Sequence, residues 1–273
     1  MTSTILFLSA GLLTAIAATQ IWSGVLKQQD RESGQGAART VGLVAASMLL
    51  TIWAMHLIDS VTVNGINFTL ATGVALATLI VQGIYLFGIM RHGIQGLGLF
   101  LLPSTALPLL LIPFLPEAHT PNWIHTSSIL ETSHLLISLV AYAVLTLAAI
   151  HAVMHIILDR ALKKKRLSLM TQALPSLFDI ERYMIAQVKV ATALIALSIL
   201  TGLVWQWVEY AHFALFTHKV LLALFSFGVL VLLLIKRQKA SWPTRVASRV
   251  TLAAYILLLL AYFGVKLITS LLH

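Results

Sequence analysis

The stretch from Leu203 to Val220, LVWQWVEYAHFALFTHKV, gathers several kinds of functional side chain in a chain that is otherwise mostly aliphatic. It holds two tryptophans, a tyrosine, a glutamate, two histidines and a lysine. Neutral imidazole is a common ligand of metal ions and haem iron. Trp205 and Trp207 could form the walls of a haem pocket, and Lys219 could meet a propionate. Tryptophan and tyrosine at a helix end are equally typical of a membrane-surface belt, so the stretch alone leaves both interpretations open.

Two further histidines bear on that choice, together with His218 of the stretch itself. His56, His134 and His218 lie near or inside the ends of apolar segments, where a polar side chain should be paired or coordinated. We therefore expect these three histidines to form the floor of one cavity, with the stretch from Leu203 to Val220 as its cap. Any one of these three histidines could be an axial haem ligand.

The composition predicts which elements must position these residues. Of 273 residues, 59% are hydrophobic and only 10% are charged, and the mean hydropathy is +0.94. A soluble domain carries about 25% charged residues, so the chain is predicted to be an all-α, multi-pass membrane protein. There is no cysteine, which excludes disulfide and thiolate chemistry.

Eight apolar stretches are long enough to be read as helices that cross a bilayer of about 30 Å. They are Thr4–Leu26, Thr40–Leu57, Phe68–Met90, Leu97–Leu115, Ile129–Leu158, Tyr183–Trp205, Phe216–Ile235 and Ala247–Ile268. The fourth contains three prolines, at 103, 108 and 113, and is expected to be kinked or broken.

The basic residues predict the orientation of these spans. Fifteen of the eighteen Lys and Arg residues fall in the connections between spans 1–2, 3–4, 5–6 and 7–8. The positive-inside rule then places both termini outside, in the periplasm of a bacterial inner membrane. The net charge of +9 is explained by loops that face anionic lipid, so no nucleic-acid partner is expected. The first 26 residues contain no Lys or Arg, which argues against a cleaved signal peptide.

The chain is predicted to be one transmembrane domain over residues 1–273, with a cytoplasmic basic loop at about 159–182. Just before this loop, His151, His155 and Asp159 share one helix face. Four consecutive basic residues follow, and their repulsion argues against a cation site. We therefore expect an interfacial stripe beside lipid headgroups.

Several segments resemble the cytochrome c assembly (CcsA-like) family of haem-handling membrane proteins. They are HLLISLVAYAVLTLAAIHAV from His134, ALPSLFDIERYM, LTGLVW, THKVLLALFSFGVLVLL and SWPTRVASRVTLAAYILLLLAYFGVKLI. Their order is closest to the small eight-span branch of YpjD-like and HemX-like proteins. The resemblance implies bound haem, written here as haem b, and a role in cytochrome c maturation. It matches His134 and His273 to the family's two outer histidines and His56 to a histidine after span two. With this resemblance, His134 is the first candidate for an axial haem ligand, and His218 and His273 compete for the second position.

Two departures keep a second class of function open. The tryptophan-rich WWD motif of the family is absent from VWQWVEYAHFALFTHK, and LLLIKRQ replaces a family histidine at the inner end of span seven. The alternative is a non-enzymatic accessory or regulatory subunit of another membrane system, such as an ion exporter or a haem-synthesis enzyme. A transporter is a weaker alternative, because the spans carry almost no carboxylate near the midplane.

Overall fold

The computed structural model of the chain is a bundle of helices that carries one small sheet. It describes residues 2–26, 34–58, 61–62, 65–92, 96–115, 123–125, 129–165, 168–211, 217–239 and 242–264. The helices are α1 Thr2–Leu26, α2 Gly34–Leu57, α3 Leu70–His92, α4 Gly98–Leu111, α5 Ile129–Lys163, α6 Leu169–Gln172, α7 Leu177–Tyr210, α8 His218–Gln238 and α9 Thr244–Leu259. A 3-10 turn, Ile112–Phe114, follows α4, and a π-helical turn, Leu260–Gly264, follows α9.

Every apolar stretch that was expected to cross the membrane contains a helix. Six of these helices, α1, α2, α3, α5, α7 and α8, are long and apolar enough to span a bilayer. The Gly98–Phe114 segment is shorter, and α9 has 16 residues before its π turn. The helical membrane-protein class is therefore confirmed, while eight complete spans and outside termini stay predictions. In the fourth stretch, Pro103 and Pro108 lie inside α4, and Pro113 lies in the 3-10 turn that follows the end of the α-helix.

A three-stranded antiparallel sheet was not predicted. Its strands are β1 Val61–Thr62, β2 Gly65–Asn67 and β3 Trp123–His125, in the order β1-β2-β3. Strands β1 and β2 lie between α2 and α3, and β3 precedes α5. The sheet thus joins two of the loops at the end of the bundle where α5 begins.

Helix α5 is the central element of the bundle. One of its faces, with Ala143 and Leu147, belongs to the hydrophobic cluster that includes α1, α3 and α4. Another face, with Ala141, Leu145 and Ala148, packs into the cluster formed with α7, α8 and α9. Small side chains let membrane helices approach closely. Helix α5 thus connects the two clusters, and the single domain over residues 1–273 stays a prediction.

Helices α5 and α7 run antiparallel for most of their lengths. His134 near the start of α5 hydrogen-bonds to Ser198 in the second half of α7, whereas the His151 ring further along α5 lies 6.0 Å, centroid to centroid, from the Tyr183 ring near the start of α7. The two helices have 35 and 34 residues, or about 50 Å each at 1.5 Å per residue. This exceeds a hydrocarbon core of about 30 Å, so both helices extend beyond it.

Candidate functional site

The candidate site is a cavity of about 430 Å³ at the end of the bundle where α5 begins and α7 ends. We call this the cavity end. The walls come from α5, α7, α8 and the α9 region, together with Phe68 before α3, and they are mostly apolar. The polar side chains in the lining are Glu131, His134, Ser138, Tyr142, Ser198, Trp205, Gln206 and Lys219. A largely apolar cavity of this volume with a few convergent polar groups has the character of a small-molecule or cofactor site.

His134 is the one histidine in the lining among the residues that the structure describes. Its Nδ1 lies 2.8 Å from the carbonyl oxygen of Ser198 on α7. A carbonyl can only accept, so Nδ1 carries the proton and donates it to this bond. Neutral imidazole carries a proton on only one ring nitrogen, so Nε2 is unprotonated and its lone pair is available to bind a metal. A backbone carbonyl on the distal nitrogen is a common way to orient a histidine that binds a metal through its other nitrogen.

The Ser198 carbonyl receives a second side-chain bond besides that of His134. The Thr201 hydroxyl donates to it at 3.0 Å and to the Leu197 carbonyl at 3.0 Å. The Ser198 hydroxyl lies 3.4 Å from His134 Nδ1, a long distance beside the 2.8 Å to the carbonyl. The backbone of α7, rather than the serine side chain, therefore makes the principal contact with the ring.

Tyr142 ties the cavity wall of α5 to α9. Its hydroxyl donates to the Leu258 carbonyl at 2.9 Å. Its ring meets Phe263 edge to face, with the ring centroids 5.9 Å apart. Tyr142, Leu258 and Phe263 all line the cavity, and Phe263 lies in the π-helical turn. The hydrogen bond and the ring contact together hold the end of α9 against α5 at the cavity.

The structure brings some of the predicted site residues together and leaves others apart. His134 and Trp205 both line the cavity, as does Lys219 at the start of α8. His56 and His218 are exposed and lie outside the lining, and Trp207 is 56% exposed and also outside it. The expected cavity floor of three histidines is thus represented by His134 alone. His273 lies outside the described residues, and its haem-binding role stays a prediction.

Several lining residues were missed by sequence reasoning. Glu131 precedes His134 by three residues on α5, and Ser138 and Tyr142 follow it by four and eight, so this helical spacing could have revealed them. Ser198 and Gly202 on α7 carried no comparable signal, because their role depends on a contact with a residue more than sixty positions away.

The second polar group, at the opposite end of α5, is built differently. His151, His155 and Asp159 are buried rather than directed at headgroups, so the expected interfacial stripe is wrong for these three side chains. His151 donates from Nδ1 to its own helix, at the Leu147 carbonyl, over 2.9 Å. His155 Nδ1 lies 3.0 Å from the Ser248 hydroxyl of α9.

Charged side chains close this end of the bundle. Asp159 pairs with Lys163 at 2.8 Å and lies 3.5 Å from Arg245, while Glu181 of α7 pairs with Arg237 of α8. Within the part of the chain that the structure describes, no group of three or more His, Cys, Asp or Glu residues could hold a metal ion. The ion pairs and the Ser248 hydroxyl at this end connect helices to one another. The cavity at the other end of α5 is therefore the stronger candidate for binding a cofactor.

Comparison with known proteins bears directly on the cavity. The family model described as "Cytochrome C assembly protein" matches residues 41–273, which include all the residues that line it. The chain belongs to the cytochrome c assembly protein family. The resemblance expected from His134 onward is thereby confirmed.

Curated relatives agree with this assignment. An uncharacterized 28.8 kDa protein of Azospirillum brasilense is 34% identical over 139 residues, covering 51% of each chain. The inner membrane protein YpjD of Escherichia coli K12 is 30% identical over 167 residues, 60% of each chain. Protein HemX of Brevibacillus brevis is 28% identical over 153 residues, 55% of this chain and 56% of HemX.

The chain spans about half to three fifths of the lengths of these curated relatives. No solved structure matches it. The family membership, the YpjD relative and the apolar helices together make this chain a multi-pass protein of the inner membrane.

Proposed function

We propose that the cavity binds haem b and that the chain is a haem-handling protein of the cytochrome c assembly type, acting in cytochrome c maturation. The observation that carries the proposal is His134, which donates from Nδ1 to the Ser198 carbonyl while its side chain lines an apolar cavity. A histidine held in this tautomer has its Nε2 lone pair available for iron.

The rest of the lining suits an amphiphilic, largely apolar cofactor. Phe68, Trp205 and Phe263 offer aromatic walls, and Lys219 offers a positive charge to a carboxylate. A volume of about 430 Å³ lies within the range of about 300–1,000 Å³ common for cofactor sites. The chain has no cysteine, so it cannot attach a haem through thioether bonds, and this favours a non-covalent haem b.

The second axial position is proposed for His218 or His273. His218 is the first residue of α8 and precedes Lys219, which lines the cavity. His273 has the support of the family resemblance only. His56 is a weaker candidate for this position, because it is exposed and no described residue of α2 lines the cavity. Trp207 is proposed only as an aromatic wall, although its side chain is 56% exposed and lies outside the lining.

The proposed topology has eight spans with both termini in the periplasm. The basic side chains at the end of α5 and around the α8–α9 connection would then face the cytoplasm and anionic lipid. The cavity would open at the periplasmic end, where maturation partners in the membrane could receive haem.

The decisive experiment is a haem titration of the full chain purified in detergent. The unsubstituted protein should develop a Soret band that acid–acetone extraction removes completely, because the haem is not covalently bound. His134→Ala should shift or abolish that band. Removal of a group that only orients a metal ligand costs about 10–100-fold in affinity, so loss of the ligand itself should cost at least as much.

His151→Ala is the matched control. His151 is a buried histidine on the same helix and also donates from Nδ1 to a backbone carbonyl, yet it is absent from the cavity lining. Its replacement should leave the Soret band unchanged. A protein that takes up no haem even from an excess would refute the proposal and favour the accessory-subunit interpretation. A normal band in His134→Ala would remove His134 as the ligand.

A further inference from the structure

Gly202 on α7 lies directly against the imidazole of His134 on α5. A Cβ atom placed on Gly202 would stand 2.8 Å from His134 Cε1, 2.9 Å from Nδ1 and 3.5 Å from Nε2. Gly202 is buried and lines the cavity together with His134. The absence of a side chain at this position is therefore what leaves room for the ring.

Ser198 and Gly202 are four residues apart and share one face of α7. The Ser198 carbonyl accepts the Nδ1 proton at 2.8 Å, and one turn later Gly202 admits the edge of the ring. The two positions act together, since the ring can reach the carbonyl only if it approaches α7 as closely as a glycine permits.

A methyl group at position 202 would disturb this arrangement. Non-bonded carbon atoms pack at about 3.5–4.0 Å, so the ring would have to retreat from α7 by about 0.7 Å or more. The Nδ1–carbonyl distance would then exceed the upper limit of about 3.2 Å for a good N–H···O bond. Without that bond, the proton is free to occupy either ring nitrogen.

We infer that Gly202 is a positioning residue that seats the His134 imidazole on the Ser198 carbonyl and so keeps the proton on Nδ1 and off Nε2. The inference rests on the proposed function in one respect, because haem iron is the group that the unprotonated Nε2 is proposed to bind. Gly202 acts on haem through His134 and is not itself a ligand.

The test compares Gly202→Ala with Gly228→Ala in the full chain. Gly228 is an interior residue of α8, and an added Cβ there meets nothing within 4 Å. Both replacements bring the same gain in helix propensity, so a difference between them reports the contact with His134. The readouts are haemin affinity and the ¹⁵N chemical shifts of the His134 ring, assigned by comparison with His134→Ala.

In the unsubstituted protein we expect a protonated Nδ1 and an unprotonated Nε2. Gly202→Ala should populate the other tautomer and weaken haemin binding about 10–100-fold, the range typical of a lost orienting contact. Gly228→Ala should change neither. A Gly202→Ala protein with unchanged ¹⁵N shifts and affinity overturns the inference, as does a native ring that carries its proton on Nε2.

Two further outcomes remain separable. If the unsubstituted chain binds no haemin, the proposed function fails, while the ¹⁵N comparison still decides the role of Gly202. If Gly202→Ala does not fold, the double variant His134→Ala/Gly202→Ala decides, since removal of the imidazole removes the clash. Recovery of folding supports the inference that Gly202 makes room for the His134 ring. A double variant that also fails to fold contradicts that inference.

Discussion

Replacement of Tyr142 by phenylalanine isolates one hydroxyl in the wall of the cavity. The hydroxyl donates to the Leu258 carbonyl at 2.9 Å, across the contact between α5 and α9. The substitution keeps the ring and therefore its edge-to-face contact with Phe263, whose centroid lies 5.9 Å away. It removes a hydrogen bond between membrane helices with little change in side-chain volume.

The size of the effect follows from the setting of that bond. Hydrogen bonds between membrane helices contribute about 0.6 kcal/mol on average and up to about 1.7 kcal/mol. Leu258 is the penultimate residue of α9, two positions before the π-helical turn in which the regular helical bonding pattern changes. We therefore expect Tyr142→Phe to lower the free energy of unfolding by an amount in the upper half of this range, about 1–1.7 kcal/mol.

Reversible unfolding in mixed lipid–detergent micelles, titrated with a denaturing detergent, measures this difference. A loss of about 1–1.7 kcal/mol corresponds to about a 5- to 16-fold change in the unfolding equilibrium constant. Haemin affinity should change less than twofold, because the ring and the lining are retained. Tyr183→Phe is the control: its ring contacts His151 and its side chain is 44% exposed, outside the cavity.

The result that would refute this reasoning is a Tyr142→Phe protein as stable as the unsubstituted one, which would mean that the hydroxyl contributes nothing at the α5–α9 contact. A large loss of haemin affinity at unchanged stability would contradict the expectation that the hydroxyl stabilises the fold without binding haem, because it would place the hydroxyl in direct contact with the cofactor.

Two predictions concern the topology and the basic segment. A reporter active only in the cytoplasm, fused after His273, should stay inactive, and activity there would contradict periplasmic termini. Joint replacement of Lys163, Lys164, Lys165 and Arg166 by glutamine should weaken the orientation bias in a reporter assay and leave the haem spectrum unchanged; a lost Soret band would show that the site had been assigned to the wrong end of the bundle.

Hydropathy predicted where helices occur better than where they end. A bilayer selects for about 20 apolar residues, so the apolar stretches locate helices reliably. The start of α7 lies earlier than expected, at Leu177 rather than Tyr183, because Ser176 caps the helix by accepting from the Asp179 backbone N–H. That capping signal is local and polar, and a count of apolar residues does not register it.

The small sheet could not be predicted for a related reason. Strands β1, β2 and β3 have two or three residues each, which is too short for an alternating pattern to stand out. The pairing of β2 with β3 joins segments about sixty residues apart, Gly65 with His125 for example. Contacts of that range depend on how the helices pack, and the sequence alone carries little information about it.

The two ends of α5 show why residue type alone did not define the site. His134 and His151 are both histidines on one apolar helix, and both donate from Nδ1 to a backbone carbonyl. For His151 that carbonyl belongs to its own helix, and the ring packs against the Tyr183 ring of α7 with the centroids 6.0 Å apart, so the buried imidazole serves as a packing joint between α5 and α7. For His134 the carbonyl belongs to α7, beside a glycine and a cavity. The same bond therefore completes the hydrogen bonding of a buried joint at one end of α5, and at the other it orients a ring whose second nitrogen remains available to a ligand.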